Sequence, residues 1–150
     1  MLLEATAALS DVQEQLLETI ETETAVKIFA ARNLPQGSET QRRDRQTAIQ
    51  FALRAAADVP LEVMRLCRLG LKQAETVAGH GTRAASAEVE LGAELLRAAF
   101  DGARSNLEAK LSSLTDAVYI TSVIEEMARL NEEATMAAAA ARSSMQIPPA

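Results

Sequence analysis

The sequence predicts an all-α protein, an up-and-down bundle of about five helices. Of its 150 residues, 48% are hydrophobic but only 3% are aromatic, and 30 are alanines. Alanine and leucine are strong helix formers, whereas few β-branched or aromatic residues are present to favour strands. In addition, apolar side chains recur at helical spacing between short interruptions, which is typical of amphipathic helices in a bundle.

The first helix is predicted over residues 2–31. Leu2, Leu9 and Leu16 repeat every seven residues, so they lie along one side of a helix. The segment 33–37 ends this helix, because it contains a proline and a glycine.

The second helix is predicted to begin at Ser38, a good N-cap, with Gln41 three residues later completing a capping box. Pro60 is expected to end or kink this helix, or to occupy the first turn of a third helix. That third helix is predicted over residues 61–78, with Cys67 on its apolar side as a small buried residue.

The glycines of segment 79–81 end the third helix, and a fourth begins near Ser86. A fifth helix is predicted to start at Thr115 and Asp116. Residues 1–146 are expected to form one domain, and residues 147–150 a flexible, proline-containing tail.

Composition excludes several classes of function. A net charge of −6 with so few aromatic side chains argues against nucleic-acid binding. The single cysteine allows no internal disulfide and no cysteine-rich metal site. With no apolar run long enough to span a membrane and no signal-peptide pattern, the sequence predicts a soluble cytoplasmic protein.

Candidate site residues are polar side chains on otherwise apolar helix faces. Glu21 shares a face with Leu17 and Ile28, and Asn106 is followed by Lys110 one turn later. Facing helices of a bundle build polar sites in this way, although the same residues could border solvent or a dimer contact. The single histidine, His80, could be a general base but is better explained as a solvated turn residue.

Several segments, in this order, resemble a known family. The resemblance runs from about Glu18 to about Ala134, and no single segment carries it alone. The matching segments are Ala30-Ala31-Arg32-Asn33-Leu34-Pro35 (family pattern A-x-x-L-P), the alanine-rich helix ending in Val59-Pro60-Leu61 (V-P-L), Ala78-Gly79-His80-Gly81-Thr82 (A-x-x-G-N), Ala103 to Leu107 around Asn106 (A-x-x-N-V), and Leu114 to Tyr119 (I-x-D-x-x-F).

The family is that of the formiminotetrahydrofolate cyclodeaminases and methenyltetrahydrofolate cyclohydrolases. The resemblance implies an all-α dimer that acts on one-carbon units carried by tetrahydrofolate, either releasing ammonia from the formimino form or adding water to the methenyl form. No metal is implied. Glu21 falls where the family has an acidic residue and is the candidate catalytic proton carrier. Asn106, Lys110, Arg104 and Asp116 are the candidate substrate-binding residues.

The sequence also departs from the family pattern. The family's P-G-G-G-S turn has no counterpart among these residues, and Ala87 stands where the family has an aspartate. Three hypotheses follow: a cyclohydrolase or cyclodeaminase, a non-catalytic helical subunit of another enzyme or complex, and a folate-binding module without turnover.

The resemblance also bears on oligomeric state. The family's first helix has no counterpart here, so the faces that it would cover are expected to need another chain. We therefore predict a homodimer or a hetero-oligomer. The faces expected to need cover are those of Ala99, Ala103 and Leu107, or of Leu9, Val12 and Leu16.

Overall fold

The computed structural model describes residues 2–20, 24–80 and 86–146, and all regular structure in these ranges is helical. The five helices are α1 (Leu2–Ile20), α2 (Thr24–Arg32), α3 (Glu39–His80), α4 (Ser86–Leu111) and α5 (Ala117–Gln146). The predicted all-α bundle is thus confirmed. Glu21 and the tail 147–150 lie outside the described residues.

Local sequence signals marked several helix ends correctly. The Ser38 amide donates to Oε1 of Gln41 at 3.0 Å and the Gln41 amide donates to Oγ of Ser38 at 3.1 Å, so the predicted capping box is present. α4 begins at Ser86, and α5 follows Asp116, as predicted. The helix predicted over residues 2–31 corresponds to α1 and α2, and the residues between them are not described.

The prediction that Pro60 separates two helices is wrong. α3 is one helix of 42 residues, and Pro60 is buried inside it. Proline removes one backbone hydrogen bond from a helix and disfavours its continuation. Here Ala57 before it and Leu61 and Met64 after it belong to the same hydrophobic core. Burial on both sides of the proline therefore outweighs the local cost.

α3 is the central helix, and the other four pack around it. α4 and α5 pack against α3 and against each other, whereas α1 and α2 pack on α3 alone among the described helices. The main core lies between α3, α4 and α5 and includes the fully buried Phe100, Met64, Leu71, Leu107 and Leu130.

α4 runs antiparallel to α3 and approaches it closely. The side-chain amide of Gln50 donates to the Ser113 carbonyl just beyond the end of α4. Twenty residues further along α3, a Cβ added to Gly70 would lie 3.0 Å from Cδ1 of Leu96. A residue with no side chain at position 70 therefore allows Leu96 to pack directly against the α3 backbone.

The faces expected to need cover are only partly buried within this chain, because Leu9 and Leu16 are half-buried and Ala99 is exposed. Val12 packs in the α1–α3 contact, and Ala103 and Leu107 lie in or beside the main core. On α4, the exposed leucines are Leu91 and Leu95, which are 61% and 62% exposed and lie outside these faces. No described helix is both long enough and apolar enough to cross a membrane.

Candidate functional site

Asn106 and Lys110 lie one turn apart on the same flank of α4. Asn106 is exposed and Lys110 is half-buried, and Ala99 and Ala103 precede them on that flank. The contact between Gln50 and Ser113 shows which residue of α3 lies opposite Asn106. Asn106 lies seven residues, or about 10 Å, before Ser113 on the antiparallel helix, which brings it level with the fully buried Ala57 of α3.

Lys110 differs from the other cations of the bundle. The remaining lysines and arginines of α3, α4 and α5 each contact a carboxylate or donate to an oxygen. Lys110 has no such partner within the described part of the chain. The Lys110 ammonium therefore has three N–H donors that are open to an anionic or carbonyl-bearing ligand.

Arg104 lies on a different side of α4 from Asn106. Two residues along a helix correspond to a rotation of about 200°, and the Arg104 side chain accordingly points toward α5. Its Nη1 donates to Oδ1 of Asn131 at a long 3.5 Å, and its nearest carboxylate oxygens, on Asp101 and Glu108, are 3.9 Å away. The buried Nε of Arg104 has no hydrogen-bond partner in the described ranges.

Asp116 has a structural role in this chain. Its Oδ1 accepts a hydrogen bond from the Tyr119 amide at 3.0 Å, which caps the start of α5. Its other carboxylate oxygen lies 3.6 Å from Nη1 of Arg54 on α3. Asp116 therefore fixes the beginning of α5 against α3, and it does not share a flank with Asn106 and Lys110.

A polar network that the sequence analysis did not predict joins α3 to the α4–α5 connection. Gln50 donates to the Ser113 carbonyl at 3.2 Å and accepts from the Thr115 amide and hydroxyl at 3.0 and 3.1 Å. Arg54 lies over the Tyr119 ring, 4.3 Å from its centroid. The available signal was the spacing of Gln50, Arg54 and Asp58, three polar residues four apart on one side of α3.

Burial shifts the pKa of two groups in the core. Desolvation raises the pKa of the Cys67 thiol from 9.0 to about 11, so the thiol stays protonated and unreactive near neutral pH. Desolvation, together with a hydrogen bond to Asp58, raises the pKa of Tyr119 well above its usual value. Cys67 thus behaves as the predicted buried apolar residue.

Ion pairs tie α3 to α5 on the far side from Lys110. Arg65 binds the Glu126 carboxylate in a bidentate ion pair: its Nε donates to Oε1 at 2.8 Å and its Nη2 donates to Oε2 at 2.9 Å. This contact raises the pKa of Arg65 and lowers that of Glu126. Arg129 and Glu133 extend the row, and Arg68 joins it through Glu133. These groups neutralise one another, which suits a structural role.

Other candidate positions offer less chemistry. His80, the last residue of α3, is exposed, and its Nδ1 lies 2.8 Å from the Thr76 carbonyl, as expected for a solvated end of a helix. A cleft of about 30 Å³ between α4 and α5, lined by Glu94, Arg97 and Arg142, is far too small for a pterin ring. Across residues 2–20, 24–80 and 86–146, no group of His, Cys, Asp or Glu side chains is arranged to hold a metal ion.

Comparison with known proteins assigns the family. The family model for formiminotransferase-cyclodeaminase matches residues 1–129. The chain belongs to this family. The match covers α1 to α4 and the first part of α5, and so includes all five candidate site residues.

Two similar proteins bear related names. A formimidoyltransferase-cyclodeaminase of Gallus gallus is 31% identical over 115 residues, which is 73% of this chain but 20% of that protein. A crystal structure of formiminotetrahydrofolate cyclodeaminase from Thermotoga maritima has a TM-score of 0.67 at 22% identity. It matches 95% of this chain, which covers 65% of the Thermotoga maritima chain. The chain therefore shares the fold of the Thermotoga maritima cyclodeaminase. It spans about one fifth of the length of the Gallus gallus protein.

Proposed function

We propose that this cyclodeaminase-family chain acts on a one-carbon derivative of tetrahydrofolate, by hydrolysis of the methenyl form or deamination of the formimino form. The observation that carries the proposal is the flank of α4 with Asn106 and Lys110. It presents the amide of Asn106 and the ammonium of a half-buried Lys110, which has no partner among the described residues, beside small side chains. Family membership supplies the substrate class.

The reaction requires proton transfer at one carbon. In hydrolysis of the cationic methenyl group, a water oxygen bonds to the bridging carbon and one of the carbon–nitrogen bonds breaks. One proton of the water passes to the released nitrogen and the other is released to solvent, which leaves a formyl group on the second nitrogen. In deamination, a folate nitrogen bonds to the carbon of the protonated formimino group and gives up its own proton. The bond from that carbon to the formimino nitrogen then breaks, and this nitrogen takes up the proton and leaves as ammonia. A carboxylate that first accepts and then donates the proton serves both reactions, and Glu21 is the proposed carboxylate.

The proposed binding groups are Asn106 and Lys110. An amide can donate to a ring carbonyl and accept from a ring N–H, and an ammonium adds three donors and a positive charge. α1 and α2, the helices that flank Glu21 in the sequence, both pack on α3, as α4 does. Binding roles for Arg104 and Asp116 stay predictions, since their described contacts are with α5 and α3.

The proposal is tested by following the near-ultraviolet absorbance of methenyl-tetrahydrofolate with the purified protein, and by assaying ammonia release from the formimino form. Turnover above the uncatalysed rate is expected in one of these assays. Glu21→Gln should reduce kcat by about 10²-fold or more, the usual size of a general acid–base contribution. Lys110→Met should mainly raise KM, whereas Lys27→Met, an exposed lysine on α2, should leave both constants unchanged.

Two results would contradict the enzymatic proposal. One is the absence of turnover in both assays from protein that is folded by circular dichroism. The other is a rate that Glu21→Gln leaves unchanged. Binding of a folate derivative without turnover would instead support a folate-binding module.

A second candidate function is that of a non-catalytic helical subunit of another enzyme or complex. The observation that favours it is the exposure of two of the three phenylalanines. Phe29 on α2 and Phe51 on α3 are 69% and 74% exposed, and Val26 lies beside Phe29 on the outer side of α2. Exposed aromatic side chains are enriched where proteins meet. This hypothesis requires a defined complex that Phe29→Ser and Phe51→Ser disrupt, in a protein inactive in both assays.

A further inference from the structure

Gln50, on α3, makes three hydrogen bonds to the short connection between α4 and α5. Its side-chain amide donates to the Ser113 carbonyl at 3.2 Å, and its Oε1 accepts from the Thr115 amide and hydroxyl at 3.0 and 3.1 Å. Two of these bonds are to backbone atoms, one on each side of Leu114. A single side chain therefore fixes the position of this connection relative to α3.

The same connection satisfies the end of α4. The Ser113 amide donates to the Lys110 carbonyl at 3.1 Å, and the Ser112 hydroxyl donates to the Ala109 carbonyl at 2.7 Å. These carbonyls belong to the last turn of the helix, which has no further helical amides to bind. The turn that carries Lys110 is thus held by the residues that Gln50 binds.

Lys110 depends on the backbone of this turn for its position, because its ammonium has no partner among the described residues. Leu111 and Leu114 are buried beside it and hold the turn against the core. Apolar contact has no preferred direction, however, whereas hydrogen bonds do. Asn106 lies one turn further from the end of α4 and so depends less on Gln50.

The start of α5 has separate contacts with α3. Asp116 lies 3.6 Å from Arg54, and the Tyr119 hydroxyl donates to Asp58. Loss of the Gln50 bonds would leave both of these contacts in place. The effect of that loss should therefore fall on the end of α4.

We infer that Gln50 is a positioning residue for Lys110. It holds the last turn of α4 in place and so keeps the Lys110 ammonium at a fixed distance from Asn106. The inference rests on the proposed function, in which these two side chains bind the substrate. Gln50 acts through the backbone of the connection and not by contact with the substrate.

The first test compares the kinetics of full-length variants. Gln50→Leu keeps most of the side-chain volume but makes none of the three bonds. It should raise KM about three- to tenfold, the size of one polar contact, with kcat nearly unchanged. Gln50→Glu keeps an acceptor for Thr115 and should have a smaller effect. Gln46→Leu, at an exposed position one turn earlier on α3, should leave KM unchanged.

Coupling between variants distinguishes positioning from a general loss of stability. In a Lys110→Met background, Gln50→Leu should raise KM no further, because the group that it positions is absent. In an Asn106→Ala background, it should raise KM by the same factor as in the wild type. An equal rise in both backgrounds, or an unchanged KM in Gln50→Leu itself, would overturn the inference.

A second readout does not require turnover. The chain has three lysines, Lys27, Lys72 and Lys110, so reductive methylation with isotope-labelled formaldehyde gives few NMR signals, and Lys110→Met identifies one of them. Gln50→Leu should shift or broaden the Lys110 signal and leave the other two lysine signals in place. This result in a protein without turnover would support positioning by Gln50 while the proposed function fails. An unchanged Lys110 signal would overturn the inference, whether or not the protein is active.

Discussion

The hydroxyl of Tyr119 donates a hydrogen bond of 2.6 Å to Oδ1 of Asp58, and so joins the first turn of α5 to the middle of α3. The ring itself is buried and has the guanidinium of Arg54 over its face. Asp58, in contrast, is exposed. The ring therefore contributes through burial, and the hydroxyl adds a bond to a carboxylate that water could also satisfy.

This division of roles predicts a small effect for Tyr119→Phe and a large one for Tyr119→Ala. Loss of the hydrogen bond should lower the free energy of unfolding by about 0.5–1.5 kcal/mol, because Asp58 regains hydration. Removal of the ring should cost about 3–5 kcal/mol, as for other buried aromatic side chains. Urea unfolding followed by circular dichroism measures both. Equal losses in the two variants would show that the hydroxyl, and not the ring, is the main anchor.

Stability should decline at alkaline pH because of Cys67. Its pKa is 9.0 in the unfolded chain and about 11 in the folded one, so the folded state keeps a proton that the unfolded state releases. The corresponding stability is complete below pH 9 and is lost as the pH rises toward 11. Cys67→Ala should flatten the profile of unfolding free energy between these values.

Tyr119 adds a second alkaline contribution with the same sign. Its pKa is raised in the folded state, so its contribution begins to fall as the pH passes its ordinary value of 10.0. The double variant Cys67→Ala/Tyr119→Phe should therefore show the flattest profile above pH 9. A wild-type stability that stays constant from pH 8 to pH 11 would contradict both assignments.

The α3–α5 ion pairs predict the opposite trend at acid pH. Arg65 lowers the pKa of Glu126 below its ordinary 4.5, so the stability from this pair is present above pH 4.5 and is lost as the pH falls further. Arg65→Met should cost about 1 kcal/mol at pH 7, since both groups are partly exposed, and should remove part of the acid dependence. Arg43→Met breaks a more exposed pair with Glu39 and should change stability less.

The close approach of α3 and α4 predicts opposite effects for two glycines. Gly70→Val should destabilise the protein by about 1–3 kcal/mol, because its Cβ meets Leu96 and its methyl groups have no space. Gly92→Ala on α4 should stabilise it by about 0.5–1 kcal/mol, because no atom lies within 4 Å of the added Cβ and alanine favours the helix. Thermal unfolding distinguishes the two. Partial recovery of Gly70→Val by Leu96→Ala would identify the contact responsible.

Features of the fold that depend on residues close together in the sequence could be predicted from the sequence alone. Ser38 and Gln41 are three residues apart, and Asp116 directly precedes α5, so both helix starts were predictable from side chains that satisfy nearby amides. Pro60 shows the limit of this reasoning. Its local effect opposes a helix, and only the burial of Leu61 and Met64 against α4 and α5 explains why α3 continues.

In the candidate site, too, local relationships were predictable and long-range contacts were not. The shared flank of Asn106 and Lys110 follows from their spacing of four, and helical geometry also separates Arg104 from them. The pairing of Tyr119 with Asp58 joins residues 61 apart in the sequence, so no local pattern could reveal it. That Lys110 has no partner in the described ranges likewise depends on how the other helices pack, which no local pattern reveals.

The packing of α1 and α2 on α3 alone has a consequence for how the molecule opens. Among the side chains of α1 and α2 that the structure describes, few are buried, and the buried Ala5, Val12 and Ala31 do not belong to the main core. We therefore expect α1 and α2 to detach while α3, α4 and α5 stay folded. Such partial opening is a separate cooperative event. Amide hydrogens of α1 and α2 should exchange with solvent well before those of the other three helices, and a protease should cut there first.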